Sequence, residues 1–125
     1  MPKTQKTIFV TLKQHIDNFS IDVLIKSNFP NSKIVPITEV TEGQAITCSL
    51  GLKDTDDNSS LLISATDNGM IYSNEKYQKL INDFNVDAII FTFRKHISSK
   101  NNPHMYGWVN VDNKNNAVGV SVKEP

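Results

Sequence analysis

Apolar and polar positions along the chain follow two periods, one near 3.6 and one of 2, and they alternate in blocks. Residues 7–12, Thr-Ile-Phe-Val-Thr-Leu, are β-branched and aromatic and predict a strand that starts almost at the first residue. Ile21, Leu24 and Ile25 then fall at helical spacing, with Ser20 as the N-cap and Pro30 as the stop. Residues 33–37 read as a short strand near an edge, because Pro36 removes a donor from its ladder. Thr41 is placed to cap a helix over 42–52, with Glu42 in its first turn and Ala45, Ile46, Cys48, Ser49 and Leu52 as a small-residue face that can lie close against a sheet.

The next block opens with a polar loop over 53–59 and leads into Leu61-Leu62-Ile63-Ser64-Ala65-Thr66, an apolar run that predicts a buried strand. It ends abruptly in Asp67-Asn68-Gly69. Ser73 then caps a helix carrying Tyr77, Leu80, Ile81 and Phe84 on one side, and 86–93 predict a further buried strand. Residues 94–104 are polar, contain Asn101-Asn102-Pro103, and predict a long mobile loop over the working edge of the sheet. Finally 106–111 and 117–122 both alternate around the turn residues 112–116, the pattern of a hairpin. Strands alternating with helices and closing on an antiparallel pair predict a three-layer α/β sheet, mostly parallel, with right-handed crossovers.

Composition narrows the classes of function. A chain of 125 residues fits one domain with one hydrophobic core. Thirteen basic and thirteen acidic side chains cancel, so no net field draws in nucleic acid or an anionic membrane. No apolar stretch approaches the ~20 residues that cross a bilayer. A single cysteine, Cys48, forms no internal disulfide and belongs to no zinc-type spacing, which fits a cytoplasmic setting. The aspartates of the 53–59 loop lack the glycine and closing glutamate of a calcium loop. His15, His96 and His104 are scattered and read as surface residues.

None of the five glycines forms a dinucleotide fingerprint or a P-loop. Four patches remain, each with an ordinary structural alternative. In Thr41-Glu42-Gly43-Gln44-Ala45, a glycine at a helix start would let a flat ring approach the backbone while free amides and Gln44 donate hydrogen bonds; the alternative is a plain capped helix. Asp67, at the carboxyl end of a strand, could hold a magnesium ion that neutralises phosphate, or belong to a simple turn with Asn68 and Gly69. In Tyr106-Gly107-Trp108 the glycine could leave room for a sugar beside Tyr106, or the aromatic pair could be core. Lys123 could meet a phosphate or be solvated.

Taken in order, Thr-Glu-Gly-Gln-Ala opening a helix, a strand ending Asp-Asn-Gly, Met-Tyr-Gly-Trp-Val, an Asp-Asn turn and a closing Val-Lys-Glu-Pro resemble the sugar-phosphate nucleotidylyltransferases. The likeness runs from Thr7 to Pro125 and lies closest to domains of bacterial polysaccharide and sugar metabolism. It implies a Rossmann-like, GT-A-type α/β/α fold and a reaction that joins a nucleoside triphosphate to a sugar 1-phosphate. It further implies that Gly43 and Gln44 contact the base, Asp67 holds Mg2+, Asn68 and Gly69 line the nucleotide or sugar pocket, and Tyr106 and Gly107 contact the sugar.

Two departures accompany the likeness. The family begins with a strand and a glycine-rich loop that grip the triphosphate, whereas this chain starts at what resembles the second strand. The family closes its hairpin with Glu-Lys-Pro, and here the order is Lys123-Glu124-Pro125. The expectation is a single domain, 1–125, truncated at both ends, with weak or no catalysis alone because the backbone donors around the phosphates are missing. Its partners would be a nucleoside triphosphate or nucleotide sugar and a sugar phosphate, with neither nucleic acid nor membrane. An incomplete sheet would expose an edge that favours a homo-oligomer. The alternatives are a glycosyltransferase, whose usual second acid would stand where Gly69 is, and a non-catalytic nucleotide- or sugar-binding module.

Overall fold

Each block of the sequence folds locally, and the result is a mixed α/β protein with two small sheets. The computed structural model describes residues 2–53, 55, 58–67 and 69–122, which divide into two compact units, Met1–Asn74 and Glu75–Pro125.

The first unit is built on a parallel pair. Strand β1 (Ile8–Leu12) runs alongside β2 (Lys33–Ile37), with Ile8 opposite Lys33 and Leu12 opposite Ile37. Pro36 pairs with Thr11 at the finish of β2, where its missing donor costs little in a two-stranded sheet. The crossover contains two helices, α1 (Lys13–Phe19) and α2 (Ile21–Asn28), where one was expected. Helix α1 starts directly from β1 and carries a Lys13–Asp17 ion pair of 2.9 Å across one turn.

Ser20 stands between these helices with φ 48°, in the left-handed region. Its side chain makes no cap bond, contrary to its expected role. The backbone explains the difference: Ser20 N–H donates to Ile16 O at 2.9 Å, and Ser20 O accepts from Val23 N–H at 3.1 Å, so the residue ends one helix and opens the next through its main chain. Helix α2 ends before Pro30, as expected. Lys26 Nζ then donates to Ser32 O and Ser32 Oγ to Phe29 O, fixing the turn into β2, while the Phe9 and Phe29 rings meet at 5.1 Å.

Helix α3 (Gln44–Leu52) packs on β1. The face it turns inward is Thr47, Cys48, Gly51 and Leu52, whereas the expected contact residues Ala45, Ile46 and Ser49 are exposed. Gly51 decides that orientation. A Cβ there would lie 2.9 Å from Val10 Cγ2 and 3.6 Å from Ile8 Cγ2, so the absence of a side chain sets how near helix and strand approach.

The second unit contains an antiparallel pair, β3 (Gly107–Val111) and β4 (Ala117–Val122), with Gly107 opposite Val122 and an irregularity between Asn110 and Val111. This is the hairpin the alternation predicts. Helix α4 (Asn74–Ile81) begins next to Ser73, and its Tyr77 ring lies 5.9 Å from that of Phe91. Residues 94–104 are not one long loop: they hold α5 (Ile97–Asn101) and a 3-10 turn, Pro103–Met105. His96 Nδ1 accepts from Ser98 N–H at 3.3 Å, and proline occupies the opening of the 3-10 turn, so polar residues supply the stops and starts that apolar spacing does not reveal.

Two expected strands, 61–66 and 86–93, are absent from both sheets. Both segments have strand composition, but a strand exists only where its backbone is laddered to a neighbour, and neither segment pairs with β1–β2 or β3–β4. The expected hydrophobic core is also missing: among the described residues no hydrophobic side chain is fully buried. Ile63, Ile90 and Phe93 are each more than half exposed, as they must be without a sheet over them.

Candidate functional site

In a parallel α/β unit, loops and helix N-termini gather at the carboxyl ends of the strands. Here β2 finishes at Ile37, and residues 38–43 lead into α3. Gly43, not Thr41, is the N-cap, and no side chain caps the first turn. Thr41 Oγ1 instead lies 3.0 Å from Gly43 O and 2.6 Å from Thr47 Oγ1, and Thr47 Oγ1 also donates to Gly43 O at 3.2 Å. The two hydroxyls pin the carbonyl of Gly43, and the N-cap residue itself supplies no side-chain cap bond.

Gly43 is exposed, and a Cβ added to it would meet nothing within 4 Å. Its extended backbone suits any residue. The glycine therefore serves no packing need, and its open surroundings beside Gln44 at the first helical position leave room for a flat group against the backbone.

Asp67 lies in the same unit, exposed in a bend after the apolar segment 61–65, and Gly69 is likewise open. Asn68 lies outside the described residues. Among the described residues no three of His, Cys, Asp and Glu gather into a metal-binding group. The exposed Asp67 carboxylate is nevertheless compatible with magnesium, which retains several waters and takes one or two carboxylates together with substrate phosphates.

The expected sugar contacts belong to the second unit. Gly107 opens β3, where a Cβ would find only Ser121 O at 3.8 Å, an ordinary contact, so the space beside it is free. The Tyr106 ring packs edge-on to Phe93 at 5.7 Å, and Phe93 in turn meets His96 at 5.4 Å. Trp108 is half-buried, with Nε1 donating to Pro103 O at 3.1 Å. Lys123 lies outside the described residues, as do Glu124 and Pro125. Gly43, Gln44, Asp67 and Gly69 thus share one unit, and Tyr106 and Gly107 occupy the other.

An open pocket of about 540 Å³, more apolar than polar in its lining surface, escapes the sequence analysis altogether. It is lined by Lys95, His96, Ile97, Ser99, Lys100 and Trp108. The visible signal was two lysines and a histidine within six positions, but a segment taken as a mobile loop offers no surface on which to gather them. Comparison of the chain with protein-family models, with curated proteins and with solved structures finds no match.

Proposed function

We infer that the chain carries a nucleotide-sugar site of the sugar-phosphate nucleotidylyltransferase type. The observation that carries this inference is the start of α3: an uncapped amino terminus following a parallel strand, with open Gly43 and then Gln44. The positive end of the helix favours an electron-rich ring or an anion there. The order of the other motifs, Asp67 after an apolar segment and Tyr106-Gly107 opening a hairpin, supports the same assignment.

In the proposed reaction a phosphate oxygen of the sugar 1-phosphate attacks the α-phosphorus of the nucleoside triphosphate. That O–P bond forms as the bond to the β-phosphate oxygen breaks, and pyrophosphate leaves. Gly43 and Gln44 would orient the base, Gly69 and Asn68 would border the pocket, and Tyr106 and Gly107 would seat the sugar. Asp67 would hold magnesium, which when bound supplies charge neutralisation on the phosphate oxygens. No covalent nucleophile is required, since positioning and charge stabilisation carry such transfers.

The proposal brings a finer fold with it, a three-layer α/β/α sheet of GT-A type. The exposed Leu61, Ile63, Ile90 and Phe93 supply the apolar surface that such an arrangement would cover.

Calorimetry with ATP, CTP, GTP, UTP and dTTP tests the assignment. At least one is expected to bind only with magnesium, and Asp67→Ala is expected to weaken it about tenfold or more, the scale of a lost charge-assisted contact. Undiminished magnesium-dependent binding by that variant would overturn the role of Asp67. The absence of any phosphate-gripping glycine loop favours a second reading, a non-catalytic binding module. Pyrophosphate release on adding hexose 1-phosphates to the bound triphosphate decides for the enzyme, and its absence decides for the module.

A further inference from the structure

We propose that the cavity beside α5 binds a phosphomonoester, with the phosphate between Lys95 and Lys100 and an attached ring over Trp108. The site shares no residue with the nucleotide assignment. Its lining contains two ammonium groups, one imidazole and no carboxylate, so its charge is positive. The hydrogen bonds fix what each remaining group offers. His96 Nδ1 already accepts from Ser98 N–H, which places the proton of the neutral ring on Nε2 and makes that nitrogen a donor. Ser99 Oγ donates to His96 O at 2.9 Å, tying the backbone of the lining together. Trp108 Nε1 is engaged with Pro103 O, so the indole contributes an apolar wall rather than a polar atom.

The backbone at Lys95 points the same way. Its φ is 59°, in the region where glycine or asparagine is the unstrained choice, yet the position holds a lysine. Backbone of this kind is found at ligand clamps as well as at plain helix junctions such as Ser20. Two ammonium groups and an imidazole N–H match the charge and acceptor count of a phosphate dianion. The apolar wall beside them matches the C–H face of a sugar ring and explains why the ligand would be a phosphate ester rather than a bare anion.

Trp108 is the single tryptophan, so its fluorescence reports the cavity directly. The full chain is titrated with glucose 1-phosphate, inorganic phosphate and glucose, without nucleotide or magnesium, so that failure here is distinct from failure of the nucleotide site. Saturable changes are expected with both phosphates, tighter for glucose 1-phosphate, weaker at raised salt, and none with glucose. Lys95→Gly and Lys100→Gln are each expected to weaken binding about fivefold, the scale of an exposed ion pair. Lys95→Gly should do so while keeping or raising the melting temperature, which a purely structural role for Lys95 does not produce. Lys79→Gln, which removes a lysine paired with Glu75 on α4, is the unchanged control. No saturable change with either phosphate, or undiminished binding in both cavity variants, would overturn the proposal. Equal affinity for the two phosphates would overturn the role given to Trp108.

Discussion

Gly51 and Ser20 hold backbone positions that the sequence presents as unremarkable, and each has a measurable consequence. A methyl group at Gly51 would meet Val10 Cγ2 at 2.9 Å, on a β-branched side chain with little freedom to yield. Overpacking of this kind costs about 1–3 kcal/mol, against a helix-propensity gain of about 1 kcal/mol. Gly51→Ala is therefore expected to lower stability by up to about 2 kcal/mol in denaturant unfolding. Ser20 is the reverse case. Relief of its left-handed strain by glycine is worth about 1–2 kcal/mol, and the greater freedom of glycine in the unfolded chain returns about half of that. Ser20→Gly should stabilise by about 0.5–1 kcal/mol, read in the same measurement. Neither residue was legible in its true role. Ser20 looks like an N-cap because serine often is one, and Gly51 looks like any helical glycine until the strand beneath it is known.

The hairpin is the element whose local chemistry is most complete. Asp112 Oδ1 accepts from Lys114 N–H and Asn116 N–H, both at 2.8 Å, and Oδ2 accepts from the Asn116 side-chain amide at 2.9 Å. These bonds, the Asn116 side chain first among them, hold the Asp112 carboxyl below its ordinary pKa. A carboxyl lowered in the folded state stabilises above its unfolded pKa, and that contribution is lost as pH falls through the folded value. Hydrogen exchange of the β3 and β4 amides should accordingly retain its protection, after allowing for the pH dependence of the intrinsic rate, down to the ordinary carboxylate range and lose it at more acidic pH. Asp112→Asn keeps the acceptor for the two backbone amides but not for the Asn116 side chain, and should flatten that dependence. Strict alternation around an Asp-Asn turn made this element readable in advance, and β1, β2, α2 and α3 were readable for similar reasons. The segment 94–104 was not, because α5 is built from capping and proline effects rather than from apolar spacing. The segments 61–66 and 86–93 were misread because composition measures strand propensity, while a strand also needs a partner.

At the scale of the whole molecule, exposed apolar surface dominates. Ile71 and Phe84 have relative exposures of 105% and 104%, as in an extended chain, and the two sheets are built only of edge strands. Such surfaces bind hydrophobic dyes and pair with other copies. The native chain should bind 8-anilinonaphthalene-1-sulfonate, with sedimentation that depends on protein concentration, and a dye-silent monomer at all concentrations would contradict this description. Gly43 and Gln44 do open α3 after a parallel strand, and Gly107 does open the hairpin, so the places of these residues in the elements were legible. The cavity at Lys95, Lys100 and Trp108 was not, because its residues converge only once α5 is formed. The central claim is the nucleotide site at the start of α3, and its most direct measurement is the amide spectrum of isotope-labelled protein during titration with magnesium and the triphosphate that calorimetry selects. The largest shifts are expected at Gly43, Gln44 and Asp67, and only when magnesium is present; shifts that leave these three residues unmoved, or that are unchanged without magnesium, would contradict the account.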